Sequence, residues 1–115
     1  MSDRDLVYLR HIRDAIQHVE RYVQSVSKAE FFEEEMRQDA VIRQLSIIGE
    51  APGDLSEEFR RDYPSIPWSD IYGMRNKLVH DYFGVDLEAV WDTIENDLPP
   101  LAQTVEAAIF EIEDT

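Results

Sequence analysis

The apolar positions of this chain recur every three or four residues. Leu6, Leu9, Ile12, Ile16, Val19, Val23 and Val26 form one stripe and predict an amphipathic helix over about residues 4–25. Ser27-Lys28-Ala29-Glu30 then reads as a capping box, with Ser27 at the N-cap and Glu30 at the third helical position. Glu33, Glu34 and Glu35 follow in the first turns, where the helix dipole favours carboxylates. This second helix is expected to run to about Glu50 with Met36, Ala40, Val41, Leu45 and Ile48 facing inward. Ile42 and Ile47 lie off that stripe, which suggests a second apolar face for another subunit. Ala51-Pro52-Gly53-Asp54 stops the helix, and Ser56 is placed to cap a short one, Glu57–Asp62, ahead of Tyr63-Pro64.

Pro67 suits a first-turn position, so the next helix is expected to open there. It would carry Trp68, Ile71, Tyr72, Met74 and Leu78 and end near Tyr82, with Gly84 as its C-cap. Asp86 can cap a further segment over 87–96, containing Leu87, Val90, Trp91 and Ile94. Pro99-Pro100 is tolerated only in a first turn, so the last helix should start near Asp97–Leu98. It buries Leu98, Leu101, Val105, Ala108, Ile109 and Ile112. No run alternates with period two. The expected fold is all-α, an up-and-down bundle of four long helices plus a short helix, forming a single domain over residues 1–115.

Composition narrows the chemistry. Cysteine is absent, which removes disulfides, thiolate zinc sites, iron–sulfur clusters and a cysteine nucleophile together. No apolar run approaches the ~18–20 residues that span a bilayer, and Met1-Ser2-Asp3-Arg4-Asp5 lacks the cationic start of a signal peptide. A cytoplasmic protein without a membrane partner is therefore expected. Eleven Lys and Arg stand against 25 Asp and Glu, a net charge of −14. After Lys77 there is no cation at all, while ten acids fall between Asp81 and Asp114. Such a surface repels phosphates over a Debye length of about 8–10 Å, so any nucleic-acid contact must be local. The other reading of the acidic face is a docking surface for a basic protein partner.

Only three histidines are available, and His11 and His18 read as boundary positions flanking the apolar stripe of the first helix. His80 keeps different company. Gly73-Met74-Arg75-Asn76-Lys77-Leu78-Val79-His80-Asp81-Tyr82-Phe83 gathers Arg75, Lys77, His80 and Tyr82 into a small cationic island. An arginine there can hold a phosphate with two parallel hydrogen bonds, and a histidine can move a proton near neutral pH. On an ideal helix, however, five residues rotate Arg75 and His80 about 140° apart. They share a face only if the helix bends or ends near His80, or if two chains build the site together. The bland alternative is a capped helix end with a packed aromatic.

Arg75, His80 and Tyr82 fill the pattern R-x4-H-x-Y. With Ile66-Pro67-Trp68, Gly73-Met74-Arg75-Asn76 and His80-Asp81-Tyr82-Phe83, the segment resembles the HepT-like branch of the HEPN domains. Asp39-Ala40-Val41-Ile42-Arg43 and Ile48-Gly49-Glu50-Ala51 upstream, and Val85-Asp86, Val90-Trp91 and Asp97-Leu98-Pro99 downstream, extend the likeness over nearly the whole chain. The resemblance implies a helical homodimer acting as the toxin of a HEPN/MNT toxin–antitoxin pair, a metal-independent endoribonuclease needing no cofactor. It implies that Arg75 and His80 from both subunits form the catalytic pair in a cleft on the two-fold axis. Its partner would be a minimal nucleotidyltransferase antitoxin, which in some pairs attaches AMP to the motif tyrosine, here Tyr82.

On that footing His80 is expected to serve as general base or acid and Arg75 to stabilise the charge that builds on phosphorus. Asn76, one turn before His80, is a candidate to orient the imidazole, and Lys77 and Tyr82 are candidates to support the substrate. Arg10, Arg13, Arg37 and Arg43 are further candidates to line an RNA cleft, with surface ion pairs as the plainer reading. The competing expectation is a non-catalytic HEPN dimer that binds a nucleotide or a protein, with Tyr82 solely a modification acceptor. A plain helical scaffold is the weakest of the three. Glu50 sits in the family-like segment without an assigned role.

Overall fold

The structure is a computed structural model that describes residues 3–64, 66–69, 71–73, 79–80 and 84–113. Helix α1, Asp3–Tyr22, follows the first apolar stripe. Leu9, Ile12, Ala15, Ile16 and Val19 are buried along it, and Leu6, Val23 and Val26 are half-buried at its margins. The capping box forms as expected: the Ser27 hydroxyl accepts from Glu30 N–H at 3.1 Å, and Ser27 N–H donates to Glu30 Oε1 at 3.1 Å.

The helix that follows differs from the continuous one expected. It breaks at Glu34 (φ −108°, ψ 87°) into α2, Lys28–Glu33, and α3, Glu35–Glu50. Phe31 is fully buried and packs against Trp91, with ring centroids 5.3 Å apart. Gln38 Nε2 donates to the Phe31 carbonyl at 2.9 Å, and Arg37 bridges the Glu34 carboxylate and the Tyr22 carbonyl. The break thus lets Phe31 enter the core while side chains satisfy the carbonyls it frees. It also turns Met36 outward, 87% exposed, against the expectation that it faces inward. Val41, Leu45 and Ile48 are buried, whereas Ile42 and Ile47 are half-buried on a flanking face.

A 3₁₀ turn, Ala51–Asp54, packs against α1 and leads to α4, Glu57–Asp62. The Ser56 hydroxyl caps α4 by accepting from Phe59 N–H at 3.0 Å. Asp86 caps α5, Leu87–Asp92, in the same way, accepting from Ala89 N–H at 3.1 Å. The chain then passes without interruption through a π-helical turn, Thr93–Asp97, into α6, Leu98–Glu113. Pro99 and Pro100 have no N–H to offer the preceding turn, and the widened geometry, with Leu98 N–H donating to Thr93 O, accommodates them. α1 lies between α3 and α6 and packs on both. The fold is all-α, as expected.

Where a helix was expected to reach Tyr82, the chain is extended instead. Val79–His80 (β1) and Gly84–Val85 (β2) form a minimal antiparallel pair, with Val79 opposite Val85 and His80 opposite Gly84. The helix that opens after Pro67 is therefore over before Val79, and Gly84 belongs to a strand, not a C-cap. β-branched valines favour extended backbone, and a glycine is tolerated at a short ladder's edge. Tertiary pairing outweighs the apolar spacing here.

Candidate functional site

The segment that carries the motif enters from a corner tied down by one indole. Trp68 Nε1 donates to Arg60 O at 3.1 Å and to Tyr63 O at 3.0 Å, taking up two carbonyls at the end of α4. Phe59 lies between Tyr63, stacked at 4.7 Å, and Trp68, edge-on at 6.0 Å. Burial, followed by the Glu111 and Asp62 carboxylates, pushes the Tyr63 phenol above its usual range. Tyr63 therefore stays neutral at physiological pH and is a poor proton acceptor. Ile71 N–H donates to Pro67 O at 3.0 Å, which starts the helical residues 68–69 and 71–73. Ile66 and Ile71 are buried beneath them.

Asp5 completes the frame from the far end of the sequence. Its carboxylate is 2% exposed and accepts from both the N–H and the hydroxyl of Ser56, each at 2.9 Å. A buried carboxylate with such partners stiffens the entry to α4 and hence the corner beyond it. Nothing in the local spacing of Asp5 predicts this, because Ser56 is 51 residues away.

Of the expected site residues, Arg75, Asn76, Lys77 and Tyr82 lie outside the described residues, as do Met74 and Leu78. For His80 the backbone is described, in the strand pair opposite Gly84. The residues between Gly73 and Val79 and between His80 and Gly84 thus connect a helix, a strand and a return strand in quick succession. The 140° separation of an ideal helix does not govern Arg75 and His80, since His80 is not helical.

The cations nominated on α1 and α3 are mostly engaged elsewhere. Arg10 pairs with Glu113 at 2.9 Å, Arg13 with Asp14 at 3.1 Å, and Arg37 with Glu34. Lys28 pairs with Glu88 at 2.7 Å. Arg43 is exposed. His11 meets the edge of Tyr8 at 5.5 Å, and His18 stacks on Tyr22 and faces Gln44 Oε1 at 3.3 Å, so both flank the apolar stripe of α1 as expected. Among the described residues no group of His, Asp and Glu is arranged to hold a metal ion. No helix there is long and apolar enough to cross a membrane.

One residue departs from its expected place. Tyr72 belongs to the apolar set expected on this helix with Trp68 and Ile71, yet it is 59% exposed, whereas Ile71 is buried.

Similarity to known proteins agrees with the motif. The family described as Ribonuclease HepT-like matches residues 12–108. The "Probable ribonuclease HepT" of Thermococcus cleftensis is 42% identical over 94 residues, covering 82% of this chain and 86% of that protein. A Methanocaldococcus jannaschii "Putative RNase" is 34% identical over 115 residues, covering 99% of both chains. A "Gamma-glutamylcyclotransferase and putative RNase" of the same organism is 41% identical over 99 residues, 86% of this chain, which spans only 45% of that relative. No solved structure matches with significance. The chain belongs to the HepT-like ribonuclease family, whose enzyme class is endoribonuclease.

Proposed function

We propose that the protein is the endoribonuclease toxin of a HEPN/MNT toxin–antitoxin pair, and that Arg75 and His80 from two copies form its active site. The observation that carries this reading is family membership over residues 12–108, a span that contains the complete R-x4-H-x-Y pattern. The extended backbone at His80 supports it, because the helical separation of the two side chains no longer stands in the way.

RNA brings its own nucleophile, so the reaction needs proton transfer and charge stabilisation but no metal. One imidazole takes the 2′-hydroxyl proton as the 2′-oxygen bonds to phosphorus. The bond to the 5′-oxygen breaks, and a second imidazole from the partner copy protonates that oxygen, leaving a cyclic phosphate. Arg75 offers two N–H donors to the non-bridging oxygens as charge builds on them. Asn76 and Lys77 would support the imidazole and the substrate. AMP on the Tyr82 hydroxyl would set a bulky anion where the substrate phosphate must sit. The acidic chain beyond Lys77 suits docking of a nucleotidyltransferase antitoxin.

RNA cleavage in the presence of a chelator tests the assignment. His80→Ala should slow it by about 10²–10⁴, and Arg75→Ala by about 10²–10³, with circular dichroism and dimer mass unchanged. Equal activity in all three proteins would refute the site. Mass spectrometry of protein co-produced with a neighbouring nucleotidyltransferase should add AMP at Tyr82; an unmodified tyrosine would remove the switch alone.

A further inference from the structure

We propose that Tyr72 is a stacking platform for a base of the bound RNA, close to the cleaved phosphate. The inference rests on the ribonuclease reading above and adds a substrate contact to it. Four large hydrophobic side chains are exposed among the described residues: Val7, Met36, Tyr72 and Phe110. Only Tyr72 lies in the segment that leads into the motif. It is three residues before Arg75, so their Cα atoms are at most about 11 Å apart whatever the backbone does between them. That is the reach of one or two nucleotides.

One edge of the ring faces the 3₁₀ turn Ala51–Asp54: a Cβ added at Gly53 would lie 3.9 Å from Tyr72 Cε2. Ile71 anchors the same helical turn in the core, and Trp68 fixes its start. A ring positioned by buried neighbours, with more than half its surface open, loses little entropy when a base covers it.

Charge makes such a contact useful. A chain of net charge −14, with Arg10, Arg13, Arg37 and Lys28 in ion pairs, draws little affinity from phosphates. Stacking on an uncharged ring needs no cation and tolerates any base. It therefore supplies binding that salt does not screen.

The test uses a short fluorescein-labelled single-stranded RNA of mixed sequence, bound to the full chain carrying His80→Ala to prevent cleavage. Adding Tyr72→Ala should weaken binding about 5- to 100-fold, by a similar factor at low and high salt. Tyr72→Phe and Tyr72→Trp should stay within about two-fold, since both keep a stacking face. In the active protein Tyr72→Ala should raise KM and leave kcat within about two-fold, because the ring touches no reacting atom. Unchanged binding in Tyr72→Ala, or an equal loss in Tyr72→Phe, overturns the platform while wild-type cleavage still upholds the ribonuclease. A shift in oligomer mass for Tyr72→Ala also overturns it, by assigning the ring to a protein interface. Wild-type protein that neither binds nor cleaves RNA takes down both readings.

Discussion

The α1–α3–α6 bundle and the segment from Pro67 to Val85 are built on different principles. In the bundle, stability is spread over many interchangeable contacts: Leu9, Ile12, Ile16, Val19, Val41, Leu45, Val105 and Ile109 are all buried in one cluster. In the motif segment a few specific anchors do the positioning. These are the Trp68 indole, the Ile66 and Ile71 side chains, and a strand pair of two residues a side. In the first region a lost contact lowers stability without redirecting any one functional group. In the second, the described residues hang on few anchors, so losing one changes the direction of the chain that follows.

The largest effect on stability should come from the bundle. Ile12→Ala leaves a cavity in the middle of α1 and should cost about 2–5 kcal/mol, read from urea or thermal unfolding. Its residual cleavage should track the folded fraction. A cleavage loss well beyond that fraction would blur the contrast between the regions.

Asp5→Ala should come next, at about 1–3 kcal/mol, because it strips two hydrogen bonds from Ser56. A smaller cost would show that water substitutes at the α4 entrance. Trp68→Phe keeps most of the ring packing but takes the indole donor from Arg60 O and leaves Tyr63 O with Ile66 N–H, and should cost about 1–2 kcal/mol. The sharper expectation lies in its ratio: cleavage should fall further than stability, since the corner sets the direction in which the motif leaves. Proportional losses would mean that the corner matters to folding alone.

Ser27→Ala is the mildest, about 1 kcal/mol at pH 7. It carries a pH signature. The Glu30 carboxyl is held below its ordinary value of 4.5, first by the Ser27 N–H, then by the Ser27 hydroxyl, with the Arg37 charge helping. A depressed carboxyl pKa adds stability above the unfolded value and loses it as pH falls through the folded one. Thermal midpoints of wild type and Ser27→Ala should therefore draw closer without meeting as pH drops below about 4.5, since the variant keeps the backbone N–H and the hydroxyl's bond with Glu30 N–H does not titrate. A gap of constant size would assign the effect to the hydroxyl's bond with Glu30 N–H alone.

The N-caps were legible in the local sequence. Ser27, Ser56 and Asp86 cap the helices assigned to them, and α4 has the bounds its flanking residues predict, because a cap and its N–H partner are three residues apart. Less legible was everything that depends on a distant partner. The break at Glu34 exists because Phe31 must reach Trp91, and Met36 is exposed as a consequence. The spacing of Trp68, Ile71 and Tyr72 carries no sign that one of the three would point outward. The proposed site residues Arg75, His80 and Tyr82 stood out by pattern, which names the groups and leaves their geometry open.

What this sequence determined by itself is the helical class, the N-caps, the family and the motif from which the groups for RNA cleavage are proposed. All of these reside in periodicity, in short hydrogen-bonded loops or in a compact motif. Tertiary structure alone decided where helices break, that the chain is extended at His80, that Asp5 reaches Ser56 and that Tyr72 is left in the open. Those outcomes turn on which surfaces remain once the core has closed, and an interaction across fifty residues leaves no period in the chain to read.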